Sequence, residues 1–358
     1  MSSPGNSPVR NNTQGVSDTG ERALIERIRL RVPPAPPGLL VGIGDDAAVA
    51  APDRGALQVL TTDALVEGIH FDRRFSAPAD IGYKALAVNV SDVASMGGVP
   101  RFALLSLMLP LQTTLDEVDS LLDGLLELAA ETRVSLAGGN ITRSPGPLVV
   151  DVTVVGSVKP RKILRRAGGR AGDTLYVTGQ IGAAAAGLAW LRREAGEPDE
   201  TRRGNAIVPR PDDPGLAECV ARHCRPQPRA RVGALLGRTR TASACMDLSD
   251  GLADAVVQLS CASQTGASID AASLPIHPGA RAWFTATGDD AVAASVAGGD
   301  DYELLFAVPR RARGRLRGVL REARGVQITR IGELTDDRTI GLVSGGRLEP
   351  LPPGFVHF

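Results

Sequence analysis

Between residues 57 and 156 the sequence alternates between two hydrophobic periodicities, and this alternation predicts a sheet covered by helices. Short apolar runs with the spacing of strands are separated by longer segments whose apolar residues recur every three or four positions. The predicted order is strand Leu57–Thr62, helix Asp80–Met96, strand Ala103–Leu109, helix Thr114–Arg133 and strand Leu148–Gly156. A chain that alternates in this way is expected to form α/β layers around a common core.

Local signals mark the ends of these segments. Thr114 and Glu117 have the spacing of a capping box at the start of the second helix. Asp80 is in position to cap the first helix, and Asp63 directly follows the first strand.

Basic residues and glycines interrupt the pattern at Lys159–Gly172, where we expect a domain boundary. The expected divisions are a disordered tail at residues 1–21, an N-terminal domain at 22–160 and a C-terminal domain at 161–358. In the second half, the pattern predicts strands at 174–178 and 303–308, helices at 181–193 and 249–263, and a solvated basic helix at 310–324.

Composition argues against several classes of protein. The 40 basic and 40 acidic residues give a formal net charge of zero, so neither nucleic acid nor a membrane surface is expected as a partner. No apolar run approaches the length of a membrane span, and the start of the chain lacks the apolar segment of a signal peptide. The four cysteines lack the spacing of a zinc site, so we expect free thiols in a cytoplasmic protein.

Acidic residues concentrate in glycine-rich turns and at the ends of predicted elements in both halves of the chain. They are Asp45, Asp46, Asp63, Asp92, Asp247, Asp250, Asp300 and Asp301. Each aspartate alone is most simply a turn former or a helix cap. Together with the hydroxyls of Thr61, Thr62 and Ser249, they are better explained as one shared site whose mutual repulsion is relieved by cations. Magnesium with bound phosphates is the natural complement. Because no Gly-x-x-x-x-Gly-Lys sequence occurs, a P-loop does not bind these phosphates.

Five motifs carry a resemblance to a known family. Gly42–Ala47, Thr61–Phe71, Tyr83–Asp92, Met246–Leu252 and Gly298–Leu304 together resemble the thiamine-monophosphate kinases, in the family's order. The resemblance covers nearly all of the chain after the tail. It implies an α/β (α+β) fold of two domains, like aminoimidazole ribonucleotide synthetase: a mixed-sheet N-terminal domain that forms a homodimer, and a C-terminal α/β domain. It also implies ATP-dependent phosphorylation of thiamine monophosphate to thiamine diphosphate, with ATP as co-substrate and Mg²⁺ as cofactor.

The same resemblance assigns roles to residues at matching positions. The implied magnesium ligands are Asp46, Thr61, Thr62, Asp63, Asp92, Asn140, Asp247 and Asp250, with Asp63, Asp92 and Asp250 at the catalytic centre. The implied ATP contacts are Gly139, Asn140, Arg166 and Ser249, and the implied acceptor contacts are His70, Asp300 and Phe355. Arg166 by itself could equally belong to a solvated basic loop. Phe355 could instead anchor the end of the chain, and Phe358 competes for its stacking role.

Two positions depart from the family pattern. Asn140 stands where aspartate is common, and Asp300 stands where glutamate is common. Asn140 keeps a carbonyl oxygen but lacks the charge, so we expect one weaker magnesium position. The acceptor phosphate has a second pKa of about 6 and is mostly a dianion at neutral pH, so the transfer needs no catalytic base. The alternatives are another ATP-using enzyme of the same superfamily and a degenerate nucleotide-binding protein without activity.

Overall fold

The computed structural model describes residues 15–196 and 208–354, which form two large sheets and the helices packed on them. The strands are β1 Leu39–Val41, β2 Val49–Ala50, β3 Leu57–Val66, β4 Val99–Leu109, β5 Ser135–Arg143, β6 Val149–Val158, β7 Thr174–Thr178, β8 Ala244–Asp247, β9 Gly266–Asp270, β10 Leu304–Val308, β11 Ile328–Thr335, β12 Ile340–Ser344 and β13 Arg347–Pro350. The helices are α1 Val16–Thr19, α2 Glu21–Arg31, α3 Pro78–Ser95, α4 Leu115–Thr132, α5 Ala183–Ala195, α6 Pro214–Cys224, α7 Ala230–Thr239, α8 Leu252–Ser263, α9 Pro278–Thr287, α10 Ala291–Ala297 and α11 Arg313–Glu322.

The first sheet has four strands in the order β3-β6-β4-β5. β4 and β5 are parallel and the other neighbours are antiparallel, so the sheet is mixed. Its inner face packs against α3 and α4 in one core, whereas its outer face exposes apolar side chains such as Leu60 and Leu104. β3 and β5 are the two edge strands of this sheet.

Glycines let α3 and α4 cross closely. A Cβ atom on Gly82 of α3 would lie 1.9 Å from the Leu121 carbonyl oxygen, and one on Gly124 of α4 would lie 1.8 Å from the Ala79 carbonyl oxygen. Only glycine therefore fits at either position. This close packing helps to bury α3 on nearly all sides.

α3 also contacts the second half of the chain. A Cβ atom on Gly233 of α7 would lie 2.0 Å from the carbonyl oxygen of Ala94 near the end of α3. The N-terminal half and the C-terminal half therefore meet along this helix.

The second sheet has seven strands in the order β13-β12-β9-β11-β7-β10-β8, and of these pairs only β12 and β9 are parallel. Helices cover both faces: α8 and α9 pack on one face, and α7 and α11 pack on the other. β10 shows this arrangement directly, because all five of its residues are buried. The domain boundary predicted at 160/161 falls between the two sheets and stays a prediction.

Most predicted elements appear in the structure, and the capping box is confirmed. The Thr114 hydroxyl accepts from the Glu117 backbone N–H at 3.2 Å, and the Glu117 carboxylate accepts from the Thr114 backbone N–H at 2.8 Å. The four cysteines are free, as expected. Within residues 15–196 and 208–354, no helix is long and apolar enough to cross a membrane.

Three predicted boundaries were wrong. The strand expected to end before Asp63 continues to Val66, because its pairing with β6 extends from Leu57 to Val66. The helix expected to start at Asp80 starts at Pro78, whose fixed φ suits a first helical position, and Ala77 rather than Asp80 is the N-cap residue. Residues 16–19, inside the expected tail, form α1, and the Val16 N–H donates to the Thr113 carbonyl oxygen at 3.0 Å; residues 1–14 lie outside the described part of the chain.

Candidate active site

A pair of carboxylates lies where β3 packs against α3. Asp63 of β3 and Asp92 of α3 are in contact, and the Thr61 hydroxyl donates to Asp92 Oδ2 at 2.5 Å. Because side chains alternate along a strand, Thr61 and Asp63 share the inner face of β3. Burial, followed by the charge of Asp92, raises the pKa of Asp63 to about 6. The pair therefore favours either a shared proton or a bound cation.

Asp247 brings a third carboxylate from the C-terminal half. It ends β8, is 3% exposed, and accepts a hydrogen bond from Ser91 of α3 at 2.7 Å. Burial, followed by the charge of Asp92, raises the pKa of Asp247 to about 7. Arg166 opposes this rise, so its guanidinium is close enough to act on Asp247. Carboxylates from both halves thus meet beside α3.

The backbone pairs the Asp247–Gly251 motif with the Gly298–Glu303 motif. The Asp300 N–H donates to the Ser249 carbonyl oxygen at 2.7 Å, and the Tyr302 N–H donates to the Leu248 carbonyl oxygen at 3.0 Å. A Cβ atom on Gly299 would lie 2.6 Å from the Ser249 carbonyl oxygen, so glycine is required for this approach. Ser249 and Asp250 are thereby held beside Asp300, just before α8 begins.

Glu303 anchors this pair of motifs to the sheet. It is 1% exposed, and its Oε2 accepts from Thr178 Oγ1 and from Arg229 Nε, both at 2.6 Å. Arg229 Nη2 donates to the other carboxylate oxygen, which makes the pair bidentate. Glu303 therefore has a structural role behind the site.

The two predicted acceptor contacts that the structure describes, His70 and Asp300, are joined by Lys84. Lys84 Nζ lies 2.9 Å from Asp300 Oδ2 and 3.4 Å from the His70 carbonyl oxygen. Burial raises the pKa of Asp300, but the Lys84 ammonium and His223 outweigh burial and hold it well below its usual value. The third predicted contact, Phe355, lies outside the described residues.

Asp301, next to Asp300, has a different role. Its Oδ2 accepts from the Gly182 N–H at 2.8 Å, directly before α5 begins. A carboxylate at a helix N-terminus is a stabilising arrangement. Burial nevertheless raises the pKa of Asp301 to about 8. Asp301 thus has a structural role at the start of α5.

Four predicted site residues lie apart from Asp63 within one chain. Thr62 points to the outer face of the first sheet, where its hydroxyl lies 3.0 Å from Asp151 Oδ1. Asn140 lies on β5, and its register with Ser106 and Asp151 places it on that outer face too. Two strands separate β5 from β3, which is a distance of about 14 Å.

The other two of these residues are Gly139, which lies on β5, and Asp46, which lies in a loop beside it. Asp46 is exposed in the loop between β1 and β2, and Ala48 of this loop contacts the Gly138 position. Gly139 has a structural reason to be glycine, since a Cβ atom there would lie 1.9 Å from the Leu105 carbonyl oxygen. Among the described residues, no three His, Cys, Asp or Glu side chains are placed to hold one ion.

Arg166 is exposed at the edge of the site. Its Nη1 donates to Gln258 Oε1, and the Ser263 hydroxyl donates to its carbonyl oxygen at 3.1 Å. Its charge also opposes the rise in the pKa of Asp247, so the exposed guanidinium lies within electrostatic range of the carboxylate cluster.

Sequence reasoning missed three residues of the site: Lys84, Ser91 and Tyr302. The Tyr302 hydroxyl donates to Asp300 Oδ1 at 3.2 Å. Burial and then the charges of Asp300, Asp247 and Asp63 raise its pKa, so the phenol lies among these carboxylates. All three missed residues lie inside the recognised motifs. For Lys84 and Ser91, the available signal was a lysine and a serine at buried positions of a largely apolar helix.

Comparison with known proteins identifies related domains in both halves of the chain. The model of the AIR synthase related protein N-terminal domain matches residues 44–158, and that of the C-terminal domain matches residues 170–344. Thiamine-monophosphate kinase of Bacillus subtilis (strain 168) is 37% identical over 272 residues, which cover 74% of this chain and 80% of that relative.

Solved structures confirm the predicted fold class. The crystal structure of thiamine-monophosphate kinase from Stenotrophomonas maltophilia K279a has a TM-score of 0.77 and 33% identity, and the match covers 91% of this chain and 95% of that one. The structure of AaThiL complexed with AMPPCP and TMP has a TM-score of 0.72 and 29% identity, and the match covers 96% of this chain and 98% of that one. From the two family models and the relatives that match over most of their length, we conclude that the chain belongs to the thiamine-monophosphate kinase family of AIR synthase-related proteins.

Proposed function

We propose that the chain transfers the γ-phosphoryl group of ATP directly to the phosphate of thiamine monophosphate, which gives thiamine diphosphate and ADP. The observation that carries this proposal is the meeting of the Tyr83–Asp92, Met246–Leu252 and Gly298–Leu304 motifs at one place along α3. Relatives named thiamine-monophosphate kinase support it, as does the structure of AaThiL complexed with AMPPCP and TMP. Because the reaction consumes ATP, we place it in the cytoplasm.

The site residues bind and orient two anions rather than move a proton. The acceptor phosphate is mostly a dianion at neutral pH, so it can attack without a general base. We assign Ser249 and Arg166 to ATP, and His70 and Asp300 to the acceptor. Phosphoryl transfer then depends on holding donor and acceptor in line and on neutralising their charge.

The carboxylates beside α3 fit magnesium. Mg²⁺ keeps several waters and is commonly bound through one or two carboxylates together with substrate phosphates, so it does not need three protein carboxylates. Asp63 and Asp92 are such a pair, and burial, followed by the charge of Asp92, raises the pKa of Asp63. We propose that these two, with Thr61, Asp247 and Asp250 nearby, hold Mg²⁺. When bound, the metal would offset the negative charge of the two reactants. Ligation by Asp46, Thr62 and Asn140 stays a prediction.

One assay tests the function against its alternatives. Purified protein with magnesium and ATP should release ADP only when thiamine monophosphate is added, and thiamine diphosphate should appear in equal amount. ADP release without thiamine monophosphate would favour another ATP-using enzyme of the superfamily. Binding of magnesium-ATP with no turnover would favour the degenerate nucleotide-binding protein.

Magnesium should stabilise the protein more at pH 8 than at pH 5.5. The pKa of Asp63 is about 6 and that of Asp247 about 7, both above the value of about 3.9 expected in the unfolded chain. Between about pH 4 and pH 7, the folded state without metal therefore binds more protons than the unfolded chain. Its stability falls as the pH rises through this range. Bound magnesium removes the repulsion that develops at high pH. Melting temperatures with and without magnesium at both pH values test this, and an equal shift at the two would contradict it.

We further propose that the outer face of the first sheet forms the homodimer interface. Leu60 and Leu104, which are 67% and 37% exposed, lie on this face with Val99, which is 47% exposed. Such a patch on a sheet is a usual protein contact surface. Leu60→Asp should convert the dimer to a monomer of 37.3 kDa in analytical ultracentrifugation. Leu320→Asp, on the exposed side of α11, should leave the dimer intact. A dimer that persists in Leu60→Asp would exclude this face.

A further inference from the structure

Lys84 is an unusual residue for its position. The sequence has only three lysines among its 40 basic residues, and this one is 4% exposed in the middle of α3. A buried ammonium group is costly unless it is paired. An ammonium is compact and can donate in three directions, whereas a guanidinium is a wide planar fork. A narrow buried site with several acceptors therefore explains lysine in a chain whose basic residues are nearly all arginine.

The partners of Lys84 are the two described residues assigned to the acceptor. Its Nζ lies 2.9 Å from Asp300 Oδ2 in the C-terminal half and 3.4 Å from the His70 carbonyl oxygen in the N-terminal half. His70 Nδ1 accepts from the Val66 N–H at 3.1 Å, so a neutral ring carries its proton on Nε2. One side chain thus links the two elements that would hold the acceptor.

Asp300 is held in a conformation that needs support. Its φ is +68° and that of Tyr302 is +48°, both in the left-handed region that residues other than glycine seldom adopt. Such conformations persist where surrounding contacts fix them, and they cluster at functional sites. Lys84 holds Oδ2, and the Tyr302 hydroxyl donates to Oδ1 at 3.2 Å. Besides the hydrogen bond from the Tyr302 hydroxyl, Oδ1 can accept a second hydrogen bond from a ligand.

His223 completes the surroundings of Asp300. It is 3% exposed, and its Nδ1 lies 3.5 Å from Asp300 Oδ2. His70, Lys84 and His223 line one small cavity next to Asp80. Burial and then the charge of Lys84 lower the pKa of His223, which favours a neutral ring. Lys84 therefore supplies the positive charge that keeps Asp300 ionised and fixed.

From these contacts, and on the basis of the proposed function, we propose that Lys84 is a positioning residue for the acceptor: it orients the Asp300 carboxylate toward the amino-substituted, cationic heteroaromatic part of thiamine monophosphate. Lys84 does not touch the reacting phosphates. Its removal should weaken acceptor binding through Asp300 and leave ATP binding unchanged.

The test compares Lys84→Met with Lys159→Met in steady-state kinetics. Methionine has a similar length and lacks the charge, and Lys159 lies in an exposed contact with the Arg54 carbonyl oxygen far from these residues. We expect Lys84→Met to raise the KM for thiamine monophosphate at least tenfold, with the KM for ATP within twofold and kcat within threefold of wild type. Lys159→Met should match the wild type in all three values. Equal rises in both KM values, or no rise in either, would overturn the proposal.

If Lys84→Met does not fold, a second pair of variants tests the same proposal. Lys84→Met combined with Asp300→Asn leaves no unpaired buried charge, and it is compared with Asp300→Asn alone. If Lys84 acts through Asp300, both variants should have the same KM for thiamine monophosphate within about threefold. A KM for thiamine monophosphate in the double variant well above that of Asp300→Asn would overturn the proposal for Lys84. Activity of the wild type would still support the function in that case. An inactive wild type would instead refute the function, and the role of Lys84 with it.

Discussion

Asp63→Asn should lower kcat by about two to three orders of magnitude without loss of stability. The change removes a negative charge in contact with Asp92, at the point where we propose that a cation neutralises the two reactants. Losses of this size are typical when one group that stabilises the transition-state charge is removed. Because burial and Asp92 already raise the pKa of Asp63, an uncharged side chain should relieve repulsion and keep the fold intact. Steady-state turnover and melting temperature measure the two effects.

The control for this variant is Asp53→Asn. Asp53 is also an aspartate of the N-terminal half, but it pairs with Arg101 and accepts from the Ser157 hydroxyl at 2.6 Å, away from α3. Its kcat should stay within about twofold of wild type. Turnover near the wild-type rate in Asp63→Asn would exclude a central role for this carboxylate. A similar loss in Asp53→Asn would mean that the effect is not local.

Arg229→Met should lower the free energy of unfolding by about 3–5 kcal/mol. The change leaves the carboxylate of Glu303, which is 1% exposed, without its bidentate partner. Removing one member of a buried ion pair is costly, and a second cation, Arg222, lies 3.9 Å from Glu303 Oε1, which is too far to replace the lost hydrogen bonds. Urea denaturation at pH 7.5 measures the loss. Since Glu303 anchors the motif that carries Asp300, we also expect weaker acceptor binding.

Two further variants test whether the loss of stability comes from the buried charge that Arg229→Met leaves without its partner. Arg238 and Glu322 form a pair whose side chains are 54% and 49% exposed, so Arg238→Met should cost less than about 1 kcal/mol. Arg229→Met combined with Glu303→Gln removes both charges and should recover most of the lost stability. A loss of stability in Arg229→Met no larger than in Arg238→Met would show that the buried pair does not hold the motif.

Local features were predictable from the sequence because they depend on neighbouring residues. The capping box at Thr114 and Glu117 satisfies backbone groups within one helical turn, and it appears as expected. The end of β3 was not predictable, because β6 determines it and lies about 90 residues further on. Asp80 was misassigned as a cap for a similar reason. Its carboxylate instead accepts from Arg225 in the other half, whose Nε lies 2.5 Å from Asp80 Oδ1.

The members of the site were easier to predict than their arrangement. The motifs named Asp92 and Asp247, but their approach depends on α3 passing beside β8, which local patterns do not encode. Asn140 was grouped with these carboxylates by family resemblance, whereas the strand order places it at the opposite edge of the first sheet. Lys84 has no motif role by itself, and its importance appears only when His70 and Asp300 are brought to it.

A crystal structure of the protein with magnesium, a non-hydrolysable ATP analogue and thiamine monophosphate tests the shared site most directly. We predict a magnesium ion bound to Asp63 and Asp92, nucleotide phosphates beside Ser249 and Asp250, and the acceptor between His70 and Asp300 with its phosphate facing the nucleotide. Nucleotide and metal bound elsewhere, with the carboxylates beside α3 free of both, would contradict a site built from the two halves of the chain.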